Sequence, residues 1–231
     1  MNVEELRLAR RQALLKLAAT GALGAGSILG LVRGALAAGS LPATPGFHHI
    51  KGPVGVDNQR ASIGQVVRPG QTVTTGPGGE AVYILGSDAF MQRENTKVSF
   101  NDSTGVPTLR VLAGKILSVF GRGNRQVVTS AATIGIRGTG CYIEEEEGRT
   151  YFCLCYGEAE VTPAAAPAKK ETIRAEHHDR PIYISAKSGA PAVAPATVIN
   201  HTDAELILLE NSVGRWPPFY GKPGYPGYQS K

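Results

Sequence analysis

From Ala61 to Val161 the chain sets apolar against polar residues in short runs, each stopped by glycine or proline. Alternation of this kind turns one side of a run to a core and the other to solvent, which is the pattern of a half-buried strand. Residues 63–67, 71–75, 80–85, 89–93, 96–100, 108–112, 115–120 and 126–130 read as strands. Arg68-Pro69-Gly70, Gly76-Pro77-Gly78-Gly79 and Gly121-Arg122-Gly123 read as turns between them. The runs recur about every 8–12 residues, a spacing that predicts an all-β sandwich or barrel of antiparallel, jelly-roll-like type. None of the glycine turns leads into a helical pattern, so none is a phosphate-binding loop.

The densest stretch is 127–161. Residues 132–136 form a β-branched run, Gly138-Thr139-Gly140 reads as a backbone break, and 141–156 reads as a hairpin with Gly148 at its tip. Glu144, Glu145, Glu146 and Glu147 are expected to be a solvated tip, because consecutive acidic side chains diverge and repel. All three cysteines, Cys141, Cys153 and Cys155, fall in this hairpin. Cys153 and Cys155 are two apart and share a face. A three-residue tip centred near Glu147 sets Cys141 opposite Cys153, and a shift of two residues sets it opposite Cys155. Either register predicts three thiols on one face and allows a cross-strand disulfide. Such a bridge would close a loop of about 13–15 residues and contribute about 3 kcal/mol.

The competing use of these thiols is a metal centre or a thiol-redox site built on Cys153, Cys155, His177 and His178. Cys153 and Cys155 with His177 or His178, joined by His201, offer two sulfurs and two imidazoles. That is a tetrahedral set for zinc or a soft set for copper(I). A third reading leaves the cysteines as small buried hydrophobes, with the histidines shaping a turn beside Asp179 and Pro181. No Ser/His/Asp, Cys/His or paired-carboxylate arrangement has the context catalysis needs, so the chain is expected not to be an enzyme.

The ends of the chain change the picture. Residues 1–37 combine a basic start containing Arg10-Arg11, an apolar run of about 16 residues, and Ala35-Leu36-Ala37 before a cleavage point. Adjacent arginines followed by leucines predict a twin-arginine-like export signal and a periplasmic or secreted protein. An uncleaved anchor is the alternative, and only that alternative places the protein on a membrane. The segment carries five basic and two acidic residues, so of the chain's net +5 only +2 belongs to the rest. The remaining arginines are scattered without an aromatic platform, which argues against nucleic-acid binding. The 194 residues left suffice for one domain burying about 70% of its extended surface.

Residues 38–60 read as an extended lead-in, with His48 and His49 solvated. Residues 162–199 read as a Pro/Ala-rich linker with accessory strands around Ile173 and at 182–184. Residues 200–231 read as a short helix and an aromatic Pro/Gly tail. Thr202 or Asp203 caps the helix, Glu205 favours its positive end, Leu206, Leu209 and Val213 line one side, and Gly214 stops it.

Four motifs in order resemble a FecR domain over 61–161. They are Ile63-Gly64-Gln65-Val66 with Gly70-Gln71-Thr72-Val73-Thr74-Thr75-Gly76, then Leu109 to Ile116, then Val128 to Gly140 with its Ile136-Arg137-Gly138-Thr139 core, and the Tyr156-to-Val161 close. The resemblance implies a periplasmic, β-rich sensory or binding domain. Founding members are anti-sigma regulators with a cytoplasmic sigma-binding region before a membrane helix. Only about sixteen residues precede the apolar stretch here. The resemblance therefore implies a standalone exported module that binds an envelope protein or ligand, rather than a sigma-factor regulator.

Overall fold

The computed structural model describes residues 44–101, 105–187 and 189–225. The expected export signal at 1–37 lies outside the described residues. Among those described, no helix is long and apolar enough to cross a membrane. The chain divides into a unit spanning 44–201 and a second unit that includes 202–231.

The first unit is all-β. Its strands are β1 (Gly46–Lys51), β2 (Val54–Val56), β3 (Gln59–Arg60), β4 (Thr72–Thr75), β5 (Glu80–Leu85), β6 (Asp88–Gln92) and β7 (Lys97–Asn101). Then come β8 (Thr108–Val119), β9 (Asn124–Val128), β10 (Ala132–Glu146), β11 (Arg149–Pro163), β12 (Glu171–Ala175), β13 (Ile182–Ser185) and β14 (Val193–Pro195). They make one continuous hydrogen-bonded network, ordered β14-β13-β11-β10-β9-β8-β7-β4-β2-β3 along its main path. Strand β6 joins β5 to β8, β1 pairs with β5, and β12 pairs with β11. Among the described residues every pairing is antiparallel except β8 with β9.

The alternating pattern places its apolar side in a shared core. Phe47, Tyr83, Phe90, Phe100 and Phe120 form an aromatic cluster there, with Phe90 making ring contacts to Tyr83, Phe100 and Phe120 at 5.1–5.8 Å between centroids. Each such side chain, fully buried, contributes about 1.5–3 kcal/mol from its apolar area.

Three expectations change at this level. Residues 63–67 are not a strand, and Ile63 is 63% exposed. The lead-in instead holds β1, whose side chains Phe47 and His49 are buried against β5. Phe47 belongs to the aromatic cluster, and a single large ring outweighs the absence of a longer periodic pattern. The two runs at 108–112 and 115–120 are one strand, β8, bent at Gly114. Gly114 has φ +86°, and a Cβ there would lie 2.5 Å from the Asn95 carbonyl oxygen and the Thr96 Cα. Only glycine fits that close crossing without strain.

The second unit contributes α1 (Asp203–Ser212). Thr202 caps it in a reciprocal capping box. The Glu205 N–H reaches the Thr202 hydroxyl, and the Glu205 carboxylate accepts from the Thr202 N–H at 2.9 Å. Leu206, Ile207, Leu208 and Leu209 are all buried, a wider apolar surface than the single stripe that the spacing predicts.

Candidate metal centre

Strands β10 and β11 are fifteen residues each and form the long hairpin that carries the cysteines. The pairing Glu146↔Arg149 leaves a two-residue tip, Glu147-Gly148, with Gly148 at φ +71°. This register sets Cys141 opposite Leu154 and Tyr142 opposite Cys153. It falls midway between the two registers expected from the sequence. In a strand a one-residue slip moves every side chain to the other face. Cys141 therefore joins Ile143, Phe152 and Leu154 on the core side. The prediction that all three thiols share a face is corrected by this register.

No disulfide joins any of the three cysteines. Cys153 and Cys155 share the other side of the hairpin with Tyr142 and Glu144. A bridge between these two is disfavoured as well. Alternate residues of an extended strand have Cα atoms about 6.6–6.8 Å apart. That is the upper limit of disulfide geometry. The glycine break expected at 138–140 is a bulge within continuous β10, where the register with β11 shifts between Arg137 and Cys141.

Two loops bring histidines to the thiols. The first is Glu176-His177-His178-Asp179, between β12 and β13. The Asp179 carboxylate accepts the backbone N–H groups of Glu176 at 2.5 Å and His177 at 3.1 Å. An Asp side chain that collects preceding amides in this way closes a tight turn. His178 takes a left-handed conformation, φ +52°, and its N–H donates to the Cys155 carbonyl at 3.0 Å. That backbone bond aims its ring at β11, where His178 Nδ1 lies 3.5 Å from Cys153 Sγ.

The second loop follows β14. Asn200, at φ +54°, turns the chain so that His201 points inward. Its ring stacks on Tyr142 with centroids 4.5 Å apart. His201 Nδ1 lies 2.6 Å from the Ile199 carbonyl oxygen. A carbonyl only accepts, so that nitrogen carries the proton, and Nε2 presents its lone pair to the thiols. His201 Nε2 is 3.0 Å from His178 Nδ1.

One ligand atom from each of Cys153, Cys155, His178 and His201 lies within 4.8 Å of every other. Both cysteines are fully buried, and His201 is buried. His177 stands beside His178, with ring centroids 4.6 Å apart, but is not part of this foursome. Adjacent residues in a turn present their rings in different directions, so only one of the pair reaches the sulfurs.

The electrostatics favour an anionic sulfur. The Cys155 side chain, the largest influence, holds the Cys153 thiol well below its usual pKa, with His178 and His201 adding to the effect and burial opposing it. Cys141, on the core side, is pushed up by burial. Metal ligation needs thiolates, and Cys153 is the thiol prepared for it.

A polar layer supports His201. The Glu144 carboxylate accepts from the Tyr142 hydroxyl at 2.8 Å and from Asn200 Nδ2 at 2.7 Å, and its other oxygen lies 3.9 Å from Lys115 Nζ. Arg93 donates to the Asn200 carbonyl at 2.8 Å. Glu145 is also buried and accepts from the Ser130 N–H at 3.2 Å and the Thr150 hydroxyl at 2.6 Å. The solvated acidic tip expected at 144–147 thus shrinks to Glu146 and Glu147. Strand β10 runs three residues further than the charge pattern suggests, to Glu146, and the Glu144 and Glu145 carboxylates both find donors. Tyr142, Glu144 and Asn200 carried no signal in the sequence as neighbours of a site.

No family model matches the sequence. No curated protein matches it either. Two solved structures of a "putative anti-sigma factor" from Parabacteroides distasonis ATCC 8503, at 1.65 and 2.50 Å resolution, are similar in part. Each is 12% identical, with a TM-score of 0.45, over 55% of this chain and 59% of that chain. The match thus spans less than two thirds of those proteins, and at this distance it carries nothing about what the chain does.

Proposed function

We propose that this chain is a non-catalytic, FecR-like binding module of the cell envelope, and that it holds a transition-metal ion through Cys153, Cys155, His178 and His201. The observation that carries the metal reading is the convergence of those four ligand atoms within 4.8 Å. They come from one strand and two separate loops, and no hydrophobic packing argument requires two imidazoles and two thiols to meet. Zinc and copper(I) both accept sulfur and imidazole donors. The FecR-like reading is supported by the order of four motifs along 61–161 and by the all-β fold. Export is supported by the arginine pair and apolar run within 1–37. A partner protein in the envelope is the second ligand class that the resemblance implies.

Elemental analysis of the exported, purified protein tests the metal reading. The expected result is one metal ion per chain, lost in Cys155→Ala. Metal content unchanged by Cys155→Ala, or no uptake by wild-type protein offered zinc and copper(I), would overturn it. N-terminal sizing of the exported form tests the signal, and a start near Ala38 is expected.

A further inference from the structure

We infer that the Cys153–Cys155–His178–His201 centre selects zinc(II) over copper(I) and holds it as a closed, four-coordinate ion. The inference rests on the metal-binding reading above and adds the metal's identity and its coordination.

The first argument is shape. A tetrahedral zinc with ordinary bond lengths of about 2.3 Å to sulfur and about 2.0–2.1 Å to nitrogen sets its ligands apart by fixed amounts. Sulfur and nitrogen stand about 3.6 Å apart and two nitrogens about 3.3 Å. Cys153 Sγ and His178 Nδ1 are 3.5 Å apart, and His178 Nδ1 and His201 Nε2 are 3.0 Å apart. Two edges of the tetrahedron are therefore close to their final lengths, and the imidazole pair needs only a small opening. A two-iron, two-sulfur cluster would place the cysteine pair and the histidine pair on separate irons. The direct contact of His178 with Cys153 leaves room for a single ion.

The second argument is charge. Both sulfurs are fully buried. Two thiolates with a divalent ion and two neutral imidazoles cancel. The same set with a monovalent ion leaves one negative charge buried and uncompensated, which is costly away from water. The neighbouring Lys115 is already turned toward Glu144, at 3.9 Å.

The third argument is the donor set and its orientation. Two sulfurs with two nitrogens in a tetrahedron is a zinc arrangement, whereas copper(I) is satisfied by thiolates alone. His201 is held in the tautomer a metal needs by the Ile199 carbonyl at 2.6 Å. Metal-bound histidines ordinarily donate their second nitrogen to such a group. Four protein ligands leave no position for water, so the ion would clasp the loops at 176–181 and 196–201 to β11 and would not activate a substrate.

The test uses the full chain, stripped with a chelator under reducing, anaerobic conditions and titrated separately with zinc(II), cobalt(II) and copper(I). Cobalt(II) is expected to give the intense visible bands of a tetrahedral ion together with sulfur-to-cobalt charge transfer. Zinc(II) should bleach them at one equivalent. His178→Ala and His201→Ala should each weaken zinc binding by more than about tenfold. Weak octahedral cobalt bands would overturn the inference, and this readout needs only the wild-type chain, so it stands if a variant fails to fold. Copper(I) binding that survives both histidine variants while zinc binds weakly would overturn the zinc assignment and leave the metal reading intact. Uptake of none of the three ions would remove both.

Discussion

Glu144 is the residue whose loss should reveal how the centre is supported. Its side chain is nearly fully buried, and one of its oxygens accepts two hydrogen bonds, from Tyr142 and Asn200. Glu144→Gln keeps the shape and an acceptor oxygen but removes the charge. A hydrogen bond to a charged group contributes about 1.5–3 kcal/mol, and a neutral one about 0.5–1.5. Two bonds weakened in this way cost about 2–3 kcal/mol. The Lys115 pair adds under about 1 kcal/mol, because that lysine is half exposed and screened. The folded-to-unfolded ratio should fall roughly 30- to 150-fold. Asn200 immediately precedes His201, so the same change should weaken zinc binding by about tenfold, as loss of an outer partner of a ligand does. Urea unfolding of chelator-treated protein measures the first quantity, and competition with a coloured chelator measures the second. A stability change under about 0.5 kcal/mol would refute the assigned role of the carboxylate. Normal stability loss with unchanged zinc affinity would show that His201 is held in place without it.

Three other outcomes follow from the register, the close crossing and the buried histidine of β1. Cys141→Ala should leave metal content unchanged, because Cys141 faces the core opposite Leu154; loss of metal in that variant would contradict the register. Gly114→Ala should cost about 2–4 kcal/mol in urea unfolding, from the left-handed backbone and the contact with Asn95 and Thr96; a cost near zero would mean β8 and the 95–96 turn separate freely. His49 is held below the ordinary histidine pKa of 6.5, chiefly by burial, with Lys51 adding to this and Glu80 opposing it. The folded state then binds fewer protons than the unfolded state. Stability is full above the unfolded pKa and falls as pH drops from about 6.5 through the lowered folded value. In chelator-treated protein His49→Gln should flatten that loss, and an identical pH profile for variant and wild type would count against it.

The fold was largely legible in the sequence. Residues 80–85 read as a strand and are β5 without adjustment, and the runs behind β4, β6, β7, β9 and β13 lie within two residues of the observed ends. These segments alternate cleanly, and turn residues flank them. What alternation could not show is continuity across a glycine. Gly114 and the 138–140 bulge each looked like an end, yet each bends a longer strand whose hydrogen bonds resume on the far side. The candidate site was half legible as a cluster of side chains. Residue chemistry pointed to Cys153 and Cys155 with His177 or His178 and with His201, but the turn that separates His178 from His177 depends on Asp179 bonding backward to two amides. The side taken by Cys141 depended on the length of a turn that the run of four glutamates obscured. Buried Glu144 and Glu145 were hidden for the same reason, since a carboxylate with donors in place looks in the sequence like one in water.

The two-residue turn at Glu147-Gly148 has a consequence for how this protein can vary. It is among the most accessible points of the hairpin, where insertions would ordinarily be harmless. Here one added residue would rotate the whole returning strand by a half-step. Phe152 and Leu154 would leave the interior at the moment Cys153 and Cys155 entered it, so the packing and the proposed ligand set would be lost together. The side chain at Glu147 is free to change, while Gly148 is held to glycine by its left-handed backbone and the length of the turn is fixed.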